Sequence, residues 1–153
     1  MSFEKEFNQE RLAVKKALEE TYDLVSIELF SGVITSSAVG NPSLWKNPNS
    51  APPSYSGGAF RSSWMLTFGQ PSSELTNGIV SESSKINQIT TGILGDSSGK
   101  SRYLTSNLPY SERLEYEAWS KQQPLGVIAP NVSRVESKIP MIYAVASKKY
   151  GVQ

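Results

Sequence analysis

The most regular hydrophobic pattern lies at the start of the chain. From Ser2 to about Ile34, apolar residues recur at steps of three, four or seven, the spacing of one helical face. The members of this stripe are Phe7, Val14, Leu18, Tyr22, Val25, Leu29 and Val33, widened by Leu24 and Ile27. Charged residues fill the positions between them. The pattern therefore predicts one long amphipathic helix, with Gly32 near its end.

The later hydrophobic runs are shorter and of two kinds. Residues 60–68 form one possible alternating set, Phe60, Ser62, Trp64, Leu66 and Phe68, which is typical of a strand. Residues 101–105, which follow a turn at 95–99, are predicted as a second strand. The side chains of the first strand expected to pack under the long helix are Trp64, Leu66 and Phe68. Helical spacing returns in residues 81–94, 109–121 and 128–149, the last interrupted by Pro140. This order predicts an α+β fold with a small antiparallel sheet and two C-terminal helices.

The segment between the first helix and the first strand, residues 35–58, differs in composition. It contains four prolines and three glycines, and Lys46 is its only charged residue. Prolines disfavour helix, and a loop of this length inside a compact domain is usually functional or partly disordered. The apolar pair Leu44–Trp45 indicates an anchored point, because disordered linkers rarely carry one. We predict a single domain, residues 1–153, with an extended Pro/Gly-rich loop at 35–58.

Composition excludes several classes of function. The chain has neither cysteine nor histidine, which removes disulfides, thiolate chemistry and histidine-dependent triads. The formal charge of +1 disfavours binding of nucleic acid by bulk charge. No apolar run approaches the roughly twenty residues that span a bilayer, and the charged start of the chain predicts no secretory signal. We expect a protein made in the cytoplasm, free of membranes, disulfides and cofactors.

The sequence of one segment is similar to that of a phosphate-binding loop. Residues 95–101 read GDSSGKS, but only three residues separate Gly95 from Gly99, where a P-loop needs four. A strand is also predicted after it, where a P-loop precedes a helix. The segment is therefore interpreted as a solvated turn.

Acidic residues cluster in the predicted helix 109–121. Glu112, Glu115 and Glu117 lie close in sequence to Arg113 and Lys121, the pattern of an ion-paired surface. A catalytic carboxylate pair needs two environments that separate the two pKa values, and no histidine is available to orient it. Neither an active site nor a metal site is expected here.

The large aromatic residues admit two interpretations. They are Trp45, Tyr55, Phe60, Trp64, Tyr110, Tyr116 and Trp119. They can form the core, or some of them can anchor a subunit interface, where Trp, Tyr and Arg are enriched. Trp45 is the strongest interface candidate, because it lies in the proline-rich loop and outside any periodic element.

Two segments carry a resemblance to a known family. The first contains the sequences NLPY (107–110), LEY (114–116), SKQ (120–122) and PLG (124–126). The second contains GNP (40–42), LWK (44–46), Tyr55, GGAFR (57–61) and SSW (62–64). Together they resemble the tailed-phage neck or tail-completion proteins, the minor tail-component family of long-tailed phages.

The resemblance implies a non-enzymatic virion protein at the head–tail junction. The resemblance implies that such a protein assembles in the host cytoplasm into a ring of about six copies. Ring formation is physically compatible with this, because a heterologous interface forms a closed ring when its rotation closes. The implied partners are other copies of the chain, the head–tail connector, and the tail terminator or tail tube proteins, with genomic DNA passing through the lumen. The residues expected at its interfaces are Leu44, Trp45, Tyr55, Arg61, Tyr110, Arg113, Glu115, Lys121 and Gln122.

Three alternative functions stay open, one of which is an enzyme that uses carboxylates, such as a lytic hydrolase. The tail terminator role belongs to the same structural class. A module that recruits another protein through loop 35–58 belongs to a different class.

Overall fold

The computed structural model describes residues 2–76 and 78–153, in which helices dominate. The helices are α1 (Phe3–Ser36), α2 (Ala59–Ser62), α3 (Glu82–Leu94), α4 (Ser111–Tyr116), α5 (Ile128–Glu136) and α6 (Ile139–Tyr150). The strands are β1 (Met65–Phe68) and β2 (Arg102–Thr105). They pair antiparallel, with Met65 opposite Thr105 and Phe68 opposite Arg102. The α+β fold with a long N-terminal helix, a small antiparallel sheet and C-terminal helices is thus confirmed.

The core surrounds the C-terminal end of α1. Its buried members are Val33, Ile34, Phe60, Trp64, Ile89, Ile93, Leu114 and Val127. Trp64 is central, since its ring contacts Phe60 and its indole N–H donates to the Ser37 hydroxyl at 2.8 Å. That hydroxyl in turn donates to the Val33 carbonyl at 2.7 Å. The end of α1 and the start of β1 are therefore joined by packing and by a satisfied buried polar pair.

The predicted strand at residues 60–68 is wrong in its first half. Gly58, with a φ of +112°, is the N-cap of the short helix α2, and extended pairing starts only at Met65. Phe60 and Trp64 still reach the same core, with ring centroids 5.5 Å apart. A spacing of four residues places two side chains on one side of either a helix or a strand. The hydrophobic pattern therefore did not distinguish the two conformations.

The predicted helix at residues 109–121 is also too long. Helix α4 begins at Ser111 and ends at Tyr116, and Ala118 adopts a left-handed φ of +49° just beyond it. Tyr110 occupies the N-cap position of α4, and the side-chain amide of the preceding Asn107 donates to the Ser72 and Glu74 carbonyls. The predicted helices at 81–94 and 128–149 are found, the latter divided so that Pro140 lies in the first turn of α6.

The apolar stripe of α1 is only partly covered. Phe7 is 59% exposed and Leu18 is 54% exposed, whereas the buried positions nearby are Ala17 and Thr21. Helix α6 packs along α1, and its own buried residue is the small Ala146. Small side chains let two helices approach closely, and the Thr21 hydroxyl is satisfied by the Ala17 carbonyl. The size of the side chains determines which positions form this contact, and a hydrophobicity pattern contains no information on size.

The loop after α1 has local structure of its own. Helix α1 extends to Ser36, and residues 37–58 contain two short 3-10 turns, Pro42–Leu44 and Pro48–Ser50. Asn41 caps the first turn, because its side-chain oxygen accepts the Ser43 N–H at 3.1 Å. We refer to residues 37–58 as the proline loop. Across residues 2–76 and 78–153, no helix is long and apolar enough to cross a membrane.

Candidate interaction surface

The proline loop packs against a segment far away in sequence, residues 117–127. The Ala38 N–H donates to the side-chain oxygen of Gln123, a residue that is only 5% exposed. The neighbouring Gln122 donates from its side-chain amide to the Val39 carbonyl at 3.2 Å. These two glutamines fix the base of the proline loop to the chain that follows α4. Gln122 was predicted as an interface residue, while nothing in the local sequence singled out Gln123.

Two aromatic pairs lie near this junction, one within the proline loop and one formed by residues that flank α4. Trp45 and Tyr55 contact edge to face with ring centroids 5.1 Å apart, and Tyr110 and Trp119 are 6.2 Å apart. Burial raises the pKa of the Tyr110 hydroxyl, and the nearby Tyr55 raises that pKa further. The guanidinium of Arg113 lies 5.5 Å from the Trp119 ring centroid, a cation–π contact. We call Trp45, Tyr55, Tyr110 and Trp119 the aromatic surface.

The aromatic surface contains both partly buried and solvent-exposed rings. Trp45 and Tyr110 are half-buried and fix its position. Trp119 is 57% exposed, and Leu44, which lies beside Trp45 in the proline loop, is 53% exposed. Large apolar side chains in a fixed arrangement beside an arginine have the composition of a protein-binding surface. Lys121 is also exposed, on the turn that follows Trp119.

Arg61 has an internal function in this structure. Its guanidinium donates to the carbonyls of Ile34, Thr35 and Ser37 at 3.2–3.3 Å, which satisfies the C-terminal end of α1. It also forms an ion pair with Glu82 in the first turn of α3, with 3.2 Å between N and O. These contacts tie α2 to two other helices. A role of Arg61 at an interface stays a prediction.

Glu115 is likewise occupied within the chain. Its carboxylate accepts the backbone N–H groups of Val127, Ile128 and Ala129 at 2.7–3.2 Å, so that it caps the N-terminus of α5. A carboxylate at this end of a helix is stabilised by the helix dipole. Gly126 makes the approach possible, because a Cβ there would lie 2.5 Å from the Glu115 carboxylate. An interface role for Glu115 also stays a prediction.

Arg102 is the centre of a charged cluster outside this surface. It pairs with Asp23 at 2.7 Å and with Asp96 at 3.5 Å, and its guanidinium lies 4.0 Å from the centroid of the Tyr22 ring. Hydrogen bonds from Ser98 and the charge of Arg102 lower the pKa of Asp96. Asp96 belongs to the GDSSGKS segment, which is a turn followed by β2, as expected from the sequence. The cluster links this turn to α1.

Neither clustered metal-ligand residues nor similar proteins give a direct indication of function. Within the described residues, no three side chains of His, Cys, Asp or Glu group together as a metal site would require. No family model matches the chain, and no curated protein or solved structure shows significant similarity to it. The functional inference therefore starts from the aromatic surface.

Proposed function

We propose that this protein is an assembly subunit that binds copies of itself and neighbouring proteins through the aromatic surface. The observation that carries the proposal is the two aromatic pairs of this surface, in which Trp119 remains 57% exposed. Burying apolar surface contributes about 25 cal/mol per Å², and a tryptophan offers on the order of 200 Å². Because Trp119 is 57% exposed, only about half of that area remains to be buried, so this side chain can supply roughly 3 kcal/mol to an interface.

The resemblance to phage neck and tail-completion proteins supports a specific setting. Both segments that carry it, residues 40–64 and 107–126, contribute to the aromatic surface. We place the protein in the virion, as a ring of about six copies between the head–tail connector and the tail terminator or tail tube proteins. The formal charge of +1 suits a channel for DNA, because strong neutralisation of phosphates would retain the DNA.

A comparison of the oligomeric state of the wild-type chain with that of Trp45→Ala tests this function. We expect Trp45→Ala to leave the fold intact and to impair self-association, because the ring packs against Tyr55 outside the core cluster. The matched control is Leu94→Ala, which removes a side chain that is 63% exposed on α3. Light scattering after size exclusion reports the mass of each variant. A wild-type protein that is monomeric and also missing from purified phage particles would refute the proposal.

A second candidate is a module that recruits a different protein through the proline loop. The exposure of Leu44 beside the anchored Trp45 favours this alternative. The two functions predict different results when the wild-type chain is purified alone. Self-association that Trp45→Ala weakens supports the assembly subunit. A strict monomer that captures a non-virion protein, and loses it on Trp45→Ala, supports the recruiting module. The tail terminator role would place the same assembly at the adjacent ring of the tail.

A further inference from the structure

A groove of about 880 Å³ lies along β1, and no residue of the aromatic surface lines it. Its walls are β1, helix α3 and residues 70–76. Leu66 and Phe68 alternate along the strand with Met65 and Thr67, and all four line the groove. Successive side chains of a strand point to opposite faces of the sheet. Because side chains from both faces line this groove, the groove runs along the edge of the strand.

This edge of β1 has unused backbone hydrogen-bonding groups. The Gly69 N–H donates to the Ser101 carbonyl at 2.8 Å, which sets the phase of the antiparallel pairing. Residues 65 and 67 therefore exchange bonds with β2, and the N–H and C=O groups of Leu66 and Phe68 point away from it. Within residues 2–76 and 78–153, these groups form no other backbone bond. An edge of this kind is a template for one more strand.

Lys85 supplies an uncompensated charge to the same groove. Its side chain is buried, with 9% of the residue exposed, and its ammonium donates to the Trp64 carbonyl at 3.0 Å. The described residues place no carboxylate within ion-pair distance of it. Burial lowers the pKa of Lys85. An ammonium has three donors, so two remain for a ligand.

We propose that the groove binds an extended acidic peptide of a partner protein, which adds as a strand beside β1 and places a carboxylate on Lys85. The open edge is complementary to an extended backbone, and a buried ammonium without a carboxylate partner among the described residues is complementary to an anion. The volume lies within the range of about 300–1,000 Å³ that ligand sites occupy. Glu74 also lines the groove, so an acidic side chain must lie on the Lys85 side. The proposal does not depend on the aromatic surface.

Three synthetic peptides test the ligand side of this proposal. The first is an acetylated six-residue peptide of alternating threonine and valine with one central glutamate. The second replaces the glutamate with glutamine, and the third carries N-methyl groups on alternate amides. We expect saturable binding of the glutamate peptide, at least about tenfold weaker binding of the glutamine peptide, and none of the methylated peptide. No saturable binding of the first peptide, or equal binding of all three, would overturn the proposal.

Hydrogen exchange followed by NMR tests the position of the bound strand. The glutamate peptide should slow exchange of the Leu66 and Phe68 amides by about tenfold or more, and leave the already bonded Thr67 amide unchanged. Binding without this alternation would mean that the peptide lies elsewhere, which overturns the strand addition.

A lysine variant tests the protein side. Lys85→Met should lower the affinity for the glutamate peptide by about tenfold, so that it equals the affinity for the glutamine peptide. The control, Lys100→Met, changes an exposed lysine that does not line the groove and should leave both affinities unchanged. Unchanged binding of the glutamate peptide to a folded Lys85→Met variant would contradict the charge contact. The peptide comparison on the wild-type chain decides the matter if that variant does not fold.

Discussion

Removal of the Glu115 carboxylate tests the distinction between residues that build the fold and residues that are free to bind. Helix α5 has no side-chain cap of its own, since Val127 occupies the N-cap position. Glu115, twelve residues earlier, accepts the Val127 N–H at 2.7 Å in its place. Glu115→Ala should therefore destabilise the isolated chain, whatever the partners are.

The size of this loss of stability depends on which of the three N–H groups can form a hydrogen bond to water instead. Val127 is 1% exposed, so its donor would stay buried without an acceptor, at a cost of about 1–3 kcal/mol. Ile128 and Ala129 are exposed, and water can replace the carboxylate there. The lost charge at the helix N-terminus adds about 0.3–1 kcal/mol. We expect Glu115→Ala to lower the free energy of unfolding by about 2–3 kcal/mol.

Urea denaturation followed by circular dichroism measures this difference. Glu115→Gln keeps one acceptor oxygen for Val127 and loses the charge, so it should cost about 1 kcal/mol. Glu112→Ala is the control, because Glu112 is exposed in the same helix and surface changes cost about 0.5 kcal/mol or less. If Glu115→Ala and Glu112→Ala unfold at the same urea concentration with equal slopes, the assigned cap is refuted.

Three further perturbations have defined outcomes. Trp64→Ala should lower the free energy of unfolding by about 3–5 kcal/mol in the same assay, because it empties the centre of the core, and a loss below about 1 kcal/mol would contradict that position. Gly126→Ala should cost about 2 kcal/mol, because its φ is +77° and the new Cβ displaces the Glu115 carboxylate, so its cost should shrink in a Glu115→Ala background. A hydrogen bond from Arg134 lowers the pKa of Glu28 from its ordinary value of 4.5, so this contribution is present above about pH 4.5 and is lost as the pH falls through the folded pKa. Urea titrations from about pH 6 to pH 3 should therefore show falling stability, with a smaller fall for Glu28→Gln; an equal fall in both proteins would exclude this pair as a source.

The parts of the fold that the sequence predicted are those that depend on local chemistry. Periodic apolar residues and Ser81, whose hydroxyl accepts the Ser84 N–H, determine α3. Pro140 was expected to interrupt the last helical segment because it lacks a backbone donor, and α6 begins one residue before it. The strand Arg102–Thr105 was also predicted, as a short run that follows the turn at residues 95–99.

The parts that the sequence did not predict depend on partners distant in the chain. The carboxylate of Glu115 and the guanidinium of Arg61 satisfy helix ends that lie 12 and 27 residues away, so neither shows a local capping motif. The short α2 in place of a strand depends on a turn that Gly58 permits. The aromatic surface was foreseen only as a set of residue types. The loop that carries Trp45 and Tyr55 is held at its base by Gln123, whose bond to Ala38 spans 85 residues.

Sedimentation velocity of the wild-type chain and Trp119→Ala tests the central claim most directly. Trp119 is open to solvent and lies outside the core cluster, so its removal should leave the monomer folded. We expect the 16.8 kDa wild-type chain to sediment as an oligomer of about six copies, and Trp119→Ala to shift toward the monomer at the same concentration. An oligomer whose mass is unaffected by Trp119→Ala, or a wild-type chain that stays monomeric at all concentrations, would contradict self-assembly through the aromatic surface.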